Sequence, residues 1–191
     1  MTRPDSILVQ LLIVRCQLGD DVACTELVSR YQLRLHQYLK QFVRDNNTVN
    51  DLYQDIWFDV FRSISKLKDI EAFASWLFRI AHDRVCRLFR RRGIVYGIDS
   101  PGEIIDSTSE EQEAAWDTDE VTLALDRLIP NHREVLVLRY LHEFDYAEIA
   151  TILNCPLGTV RSRLFHAKQA LRIILEMEQD HERESSQTSL A

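Results

Sequence analysis

Asp51, Asp55 and Asp59 recur at four-residue steps, so on a helix they share one face, where like charges destabilise one another by roughly a few tenths of a kcal/mol per pair. Such a row can hold a divalent cation for phosphoryl or prenyl chemistry, provided that a second acidic cluster faces it. Otherwise it meets a cationic partner, whose charge offsets the repulsion and steers association. The next helical segment carries no acidic cluster. It carries Arg84, Arg87, Arg90, Arg91 and Arg92 with no acid from 84 to 92, an electrostatic footprint for a phosphate backbone. A third group, Thr159, Arg161, Ser162, Arg163, His166 and Lys168, sets hydroxyls and cations where they can touch base edges and phosphates in a major groove. P-loop and zinc-ligand strings are missing, and the histidines show no metal-ligand spacing. The residues therefore point to a binding protein that is not an enzyme, with no metal and no cofactor.

Helices must position all three groups. With 46% hydrophobic residues and only five Gly and four Pro, the chain has little material for the turns of an all-β fold. A first helix is expected from Ser6 to Leu18, stopped by Gly19, and a second from Asp20 or Asp21 to about Val43 with Ala23, Leu27, Tyr31, Leu35, Tyr38, Leu39 and Phe42 as its core stripe. Asp45-Asn46-Asn47 breaks the pattern, and Thr48-x-x-Asp51 resembles a capping box opening a third helix to about Ile64. Its buried face is expected to be Val49, Leu52, Tyr53, Ile56, Val60 and Ile64, with Asp51, Gln54, Asp55, Phe58, Asp59 and Arg62 opposite. A fourth helix, about Ala72 to Arg92, shows Phe73, Leu77, Ile80 and Leu88 in register and ends at Gly93. Periodicity fades from Ile94 to Glu120 and resumes with helices at about 121–129, from Pro130 to about His142, from Tyr146 to Leu153, and from Leu157 or Gly158 to about Glu176. The spacing thus predicts an all-α chain of two small domains, 1–93 and 121–176, joined by an acidic linker at 94–120 and followed by a disordered tail at 177–191.

The formal charge of −7 taken alone opposes nucleic-acid binding, but the charge is segregated. Residues 1–93 carry 15 Lys+Arg against 11 Asp+Glu, and 121–173 carry 7 against 5, whereas 94–120 carry none against 9. Two mildly basic blocks flank an acidic tether. Four cysteines without a C-x-x-C pair, and no signal-peptide pattern, predict free thiols in the cytoplasm. The apolar run from Ile7 to Val14 is too short to span a membrane and is expected to be a buried helix.

The string Tyr146-Ala-Glu-Ile-Ala-Thr-Ile-Leu-Asn-Cys-Pro-Leu-Gly-Thr-Val-Arg-Ser-Arg-Leu has the form of two short helices joined by a tight turn, with Asn154 able to take positive φ. From Glu148 to Ala167 it resembles the C-terminal domain of the extracytoplasmic-function sigma factors, small members of the sigma-70 family of bacterial RNA polymerase subunits. Leu128-Ile-Pro130, Arg133-Glu-Val-Leu136 and Leu138-Arg-Tyr140 resemble the helices before it. Asp51-Leu-Tyr-Gln-Asp55 is similar to that family's acidic polymerase-docking signature, and Phe73-Ala-Ser-Trp-Leu-Phe-Arg-Ile-Ala81, with Arg90-Arg-Arg92 beyond it, to its promoter-melting helix.

The resemblance implies a four-helix domain with a core polymerase-binding face at Asp51, Leu52, Gln54, Asp55 and Phe58. It implies a minus-ten promoter surface at Lys66, Lys68, Asp69, Arg79, Arg84, Arg87, Arg90 and Arg91, with the connector from Lys66 to Glu71 forming a pocket for an unstacked base. Phe73 and Trp76 fit the core better than a stacking platform. A second four-helix domain would read the minus-thirty-five element through Thr159, Arg161, Ser162, Arg163, Phe165, His166 and Lys168. Many relatives carry Arg where His166 stands, which makes a contact there weaker and pH-dependent. The implied partners are core RNA polymerase, promoter DNA and a membrane-associated anti-sigma factor, with no direct membrane insertion. The other reading of the same helix-turn-helix is a stand-alone DNA-binding regulator that acts without polymerase.

Overall fold

Two aspartates start the long helices of the N-terminal half. In the computed structural model, which describes residues 6–93 and 118–188, Asp20 Oδ1 accepts the Val22 and Ala23 amides at 3.0 and 3.1 Å and opens α2 (Asp21–Lys40). Asp45 does the same for α3 (Asn46–Ser63): its Oδ2 accepts the Thr48 hydroxyl at 2.6 Å and the Thr48 amide at 2.9 Å. These donors hold the Asp45 carboxyl below the usual carboxylate range, the Thr48 hydroxyl contributing most. Asp45, rather than Thr48, is therefore the cap. The Asp-Asn-Asn string expected to break the pattern is a cap followed by the first helical turn, because a β-region aspartate satisfies the orphan amides just inside it.

α1 (Ser6–Gln17) precedes these, and Gly19, at φ +86°, turns the chain back into α2. A 3₁₀ turn (Ile64–Lys66) and a short connector lead from α3 to α4 (Phe73–Arg91), after which Gly93 takes φ +71°. The four helices share a core of Ile13, Leu27, Leu35, Leu39, Ile56, Val60, Leu77, Ala81 and Val85, with Tyr31 edge-on to Phe73 at 5.2 Å and Tyr38 edge-on to Phe78 at 5.3 Å.

Packing departs from the expected pattern at several places: on α3 Trp57 is buried and Tyr53 half-buried, and Phe42, expected in the core stripe of α2, lies beyond its end and is half-buried. The buried stripe of α4 runs through Phe73, Leu77, Phe78, Ala81, Val85 and Phe89, leaving Ile80 and Leu88 half-buried. Both sets fit helical spacing, and packing selects the one with large aromatics and a small Ala81. On α1, Leu12 and Ile13 are buried, but Ile7, Leu8, Leu11 and Val14 are exposed, so the apolar run is not a buried helix. A helix apolar on all sides that is packed along one face cannot bury every residue. Finally, Cys16 and Cys24 are joined by a disulfide with their Cα atoms 5.1 Å apart, while Cys86 and Cys155 are free. The Gly19 turn brings the end of α1 against the start of α2, a proximity that a spacing of eight residues does not announce.

By their contacts, α1–α4 and residues 147–154 form one compact unit, and the remaining C-terminal helices another. In the latter, α5 (Thr118–Arg127) is followed by α6 (Pro130–Leu136), with Pro130 in its first turn as expected. Arg133 binds both the Asp126 carboxylate and the Leu128 carbonyl, tying α6 to the end of α5. A π-turn (Val137–Leu141) closes α6, and Ala124, Leu128, Val135, Leu138, Phe144, Val160 and Leu164 are buried. α7 (Tyr146–Leu153) buries Ile149, Ile152 and Leu153. α8 (Leu157–Thr188) runs past the expected end at Glu176, through residues placed in a disordered tail by composition. That stretch contains no Gly or Pro and carries three Glu and two Gln, so nothing local stops the helix. No strand occurs among the described residues. Most of the acidic segment expected at 94–120 lies outside them.

The turn between α7 and α8 uses Asn154 at φ +51°, followed by Cys155 and Pro156, whose carbonyl accepts the Thr159 amide at 3.0 Å. Asn154→Gly should leave stability nearly unchanged, whereas Asn154→Val, a β-branched residue at positive φ, should cost about 1–2 kcal/mol. Thermal melting checks this, and equal melting temperatures for the two variants would rule out the strain.

Candidate nucleic-acid and protein interfaces

Asp45 sets where α3 begins, and the regular turn of the helix then places Asp51, Gln54, Asp55 and Phe58 outward. Phe58 is 66% exposed and so leaves a large aromatic surface open beside the carboxylates. Leu52, expected on the buried face of α3 and also among the docking residues, is only 8% exposed and sits with Val49 and Ile56 on the inner side. It supports the face from beneath.

The acidic row is braced by α4. Arg84 reaches Asp55 Oδ2 through a terminal nitrogen at 2.8 Å and Asp59 Oδ2 through Nε at 2.7 Å, its other terminal nitrogen also contacting Asp59. One guanidinium thus spans the two carboxylates, so Arg84, placed by the sequence among DNA-contacting residues, is committed within the domain. The bridge is a partly exposed pair worth at most about 1 kcal/mol, but it fixes where Asp55 points. Asp51 is exposed one turn before it.

Beside the bridge lies a cavity of about 360 Å³, lined by Ser63, Lys66, Trp76, Ile80, Arg84 and Arg87 among others. Trp76 and Phe73, taken together in the sequence as core residues, part here: Phe73 is buried, while Trp76 is half-buried and presents part of its indole to a cavity bearing cations. Arg62, Ser63 and Trp76 join this site without having been picked out for it. The signal was their position on the facing sides of α3 and α4, which needs the pairing of the helices to be read.

The connector carries Lys66 and Lys68 as its cations, with Lys66 and Lys68 both reaching the surface. The Asp69 carboxylate is turned back onto the chain, accepting the Glu71 and Ala72 amides at 3.1 and 3.4 Å ahead of α4. Asp69 therefore shapes the loop, with the lysines as its outward groups. Further along α4, Arg87, Arg90 and Arg91 are exposed and Arg79 is half-buried.

On α8, Arg161 is exposed, while Thr159, Ser162, Phe165, His166 and Lys168 are half-buried. Lys168 lies over the Tyr140 ring at 5.8 Å, and Phe165 meets His166 edge-on at 5.4 Å. Arg163 departs from the expected face: it is 8% exposed, on the side shared by Val160, Leu164 and Ala167. Three- and four-residue steps from those apolar positions turn it inward. The described residues contain no group of three or more His, Cys, Asp or Glu able to hold a metal, and no helix among them is long and apolar enough to cross a membrane.

A family profile described as "Sigma-70 region 2" matches residues 27–94, and another, "Sigma-70, region 4", matches 118–171. The RNA polymerase sigma-H factor of Pseudomonas aeruginosa is 30% identical, the match covering 85% of this chain and 91% of that protein. The ECF RNA polymerase sigma-E factor of Haemophilus influenzae is also 30% identical, over 85% of this chain and 92% of its own length. Among solved structures, CnrH in complex with the cytosolic domain of CnrY superposes with a TM-score of 0.66 at 22% identity, over 88% of this chain and 97% of that one. The sigma factor RpoE of Bartonella quintana, solved with the anti-sigma factor NepR, gives 0.59 at 21% identity, over 80% of this chain and 96% of that one. These two likenesses concern the fold.

Proposed function

The chain belongs to the sigma-70 family as an extracytoplasmic-function RNA polymerase sigma factor, and from that premise we propose how its surfaces divide the work of starting transcription at promoters. Two separate family matches, 27–94 and 118–171, follow one another in one chain. That order carries the reading, because a stand-alone helix-turn-helix regulator has no use for the first.

Residues 1–93 bind core polymerase and the minus-ten element, 121–176 read the minus-thirty-five element, and 94–120 tether them. Core polymerase docks on the exposed side of α3 at Asp51, Gln54, Asp55 and Phe58. The exposure of Phe58 and the fixed Asp55 carboxylate support this face, since an aromatic that becomes buried on binding, beside oriented charges, makes a strong contact centre. Arg87, Arg90 and Arg91, with Arg79, neutralise promoter phosphates, and Lys66 and Lys68 with the connector receive the unstacked base. Trp76, at the edge of the adjoining cavity, offers an aromatic surface there. Thr159, Arg161, Ser162, Phe165, His166 and Lys168 face the upstream element, with Arg161 foremost. Catalysis belongs to the polymerase, and the factor acts in the cytoplasm.

An anti-sigma factor, membrane-associated in this reading, restrains the protein. The exposed apolar residues Ile7, Leu11 and Leu18 offer such a partner a surface to cover, and a membrane anchor belongs to that partner. Purified protein added to core polymerase should yield promoter-specific transcripts from linear DNA bearing a two-part promoter. If the protein alone footprints a palindromic site tightly and core polymerase adds nothing, the regulator reading replaces this one.

A further inference from the structure

We propose that Cys16 and Cys24 are a reversible thiol–disulfide site whose oxidised form, acting through Gln17, holds the minus-ten connector in its reading conformation. This rests on the assignment of the connector to the minus-ten element. Disulfides in proteins of the cytosol are usually transient and catalytic or redox-sensing rather than structural, so a bond at this point of a transcription factor asks for a function.

The bond is reachable. A cavity of about 460 Å³ opens beside it, lined by Cys16, Gly19, Cys24, Thr25, Phe61 and Ile64 among others, and Cys24 is half-buried. A small dithiol fits the chemistry. Its thiolate attacks one sulfur, the S–S bond breaks with its electron pair leaving on the other as a thiolate, and the reagent's second thiol then displaces the mixed disulfide. Cys16 and Cys24 gain two electrons and two protons in all, and the reagent ends as a cyclic disulfide. Exchange with an oxidised dithiol runs the same steps backwards.

The consequence reaches the connector through the neighbour of Cys16. Gln17 Nε2 donates to the Ile64 carbonyl at 2.9 Å and to the Leu67 carbonyl at 2.8 Å, so one amide group bridges the 3₁₀ turn at the entrance to the connector. At the far end, Gln10 Nε2 meets Glu71 Oε1 at 3.4 Å. α1 therefore grips the connector at both ends, and Lys66 and Lys68 project from the span between. With the disulfide closed, the end of α1 is fixed to α2. With it open, α1 keeps its packing, the Gly19 turn and the Arg15–Asp20 pair at 2.6 Å, but Gln17 loses its covalent anchor. Gln17 is a positioning residue: it touches no DNA, and it sets the backbone from which the lysines reach.

The test uses full-length protein with core polymerase, comparing an oxidised with a reduced dithiothreitol buffer. Promoter opening is followed by permanganate reactivity of minus-ten thymines, and the thiol state by alkylation and mass. Reduction should expose Cys16 and Cys24 as a pair and slow opening about threefold to tenfold, as loss of pre-organisation would, with core affinity unchanged. C16S/C24S should open slowly in both buffers. Gln17→Ala should open slowly in both buffers with its disulfide intact. Equal opening by oxidised and reduced wild type, or a redox response that survives in C16S/C24S, overturns the proposal. A K66A/K68A variant separates the two layers. If it opens slowly while redox state has no effect, only the thiol site is wrong; if it opens like wild type, the minus-ten assignment falls and takes this inference with it.

Discussion

Lysine at both Asp51 and Asp55 should weaken binding to core RNA polymerase about a hundredfold, on the order of 3 kcal/mol, with little loss of thermal stability. The affinity loss follows from geometry. Both carboxylates are on the exposed side of α3 beside Phe58, and Asp55 is aimed by the Arg84 bridge at 2.8 Å. Reversing them places two cations where a cationic partner must dock, and the ammonium introduced by Asp55→Lys would also push against Arg84. Stability should change little because Asp55 is largely exposed and Arg84 keeps its contacts with Asp59, and a surface pair of this kind is worth about 0–1 kcal/mol. Titrating labelled protein against core polymerase reads the first effect, and thermal melting the second. Undiminished affinity would remove the docking role from α3, while a large drop in melting temperature would show the row to be structural. Phe58→Ala should weaken binding as well, about tenfold, since an aromatic that enters a partner's pocket is a common centre of binding energy.

Substitution of Arg161 and of Arg163 by alanine should give different kinds of defect. Arg161 is exposed on the outer face, and a side chain reading a base edge there contributes about 1–3 kcal/mol of discrimination. Arg161→Ala should therefore lower transcription about tenfold or more from promoters with an intact upstream element and leave others unchanged, with normal melting. Arg163, 8% exposed among buried apolar positions, should behave differently: its truncation removes packing by the aliphatic stem and desolvated contacts by the head, lowering melting temperature and affecting all promoters alike. Transcription from promoter pairs with and without the upstream element, alongside melting curves, separates the cases. Equal promoter selectivity in wild type and Arg161→Ala would exclude Arg161 from base reading.

These two arginines show how far local reading carries. Their chemistry is the same and they stand two residues apart, so residue type alone assigns them together. Burial separates them, and it depends on which side of α8 packs inward. Arg84 is a similar case, because its place in a basic cluster suggests phosphate while its position opposite Asp55 and Asp59 commits it within the fold.

Gly19 and Gly93 at positive φ, Asn154 in the turn of the helix-turn-helix, Pro130 in the first turn of α6 and the Asp20 cap all act within a few residues of themselves. So does the four-residue spacing of Asp51, Asp55 and Asp59, and for that reason the helices, their order and the acidic row were legible from the chain. The Arg84 bridge, the inward turn of Arg163, the aromatic stripe of α4, and the meeting of Cys16 with Cys24 and of Gln17 with the Ile64 and Leu67 carbonyls are relations between segments that only packing brings together. Several registers satisfy the same helical periodicity, and the one adopted is the one that fills a shared core. The acidic row with which the chain announces itself thus acquires its direction from an arginine on another helix.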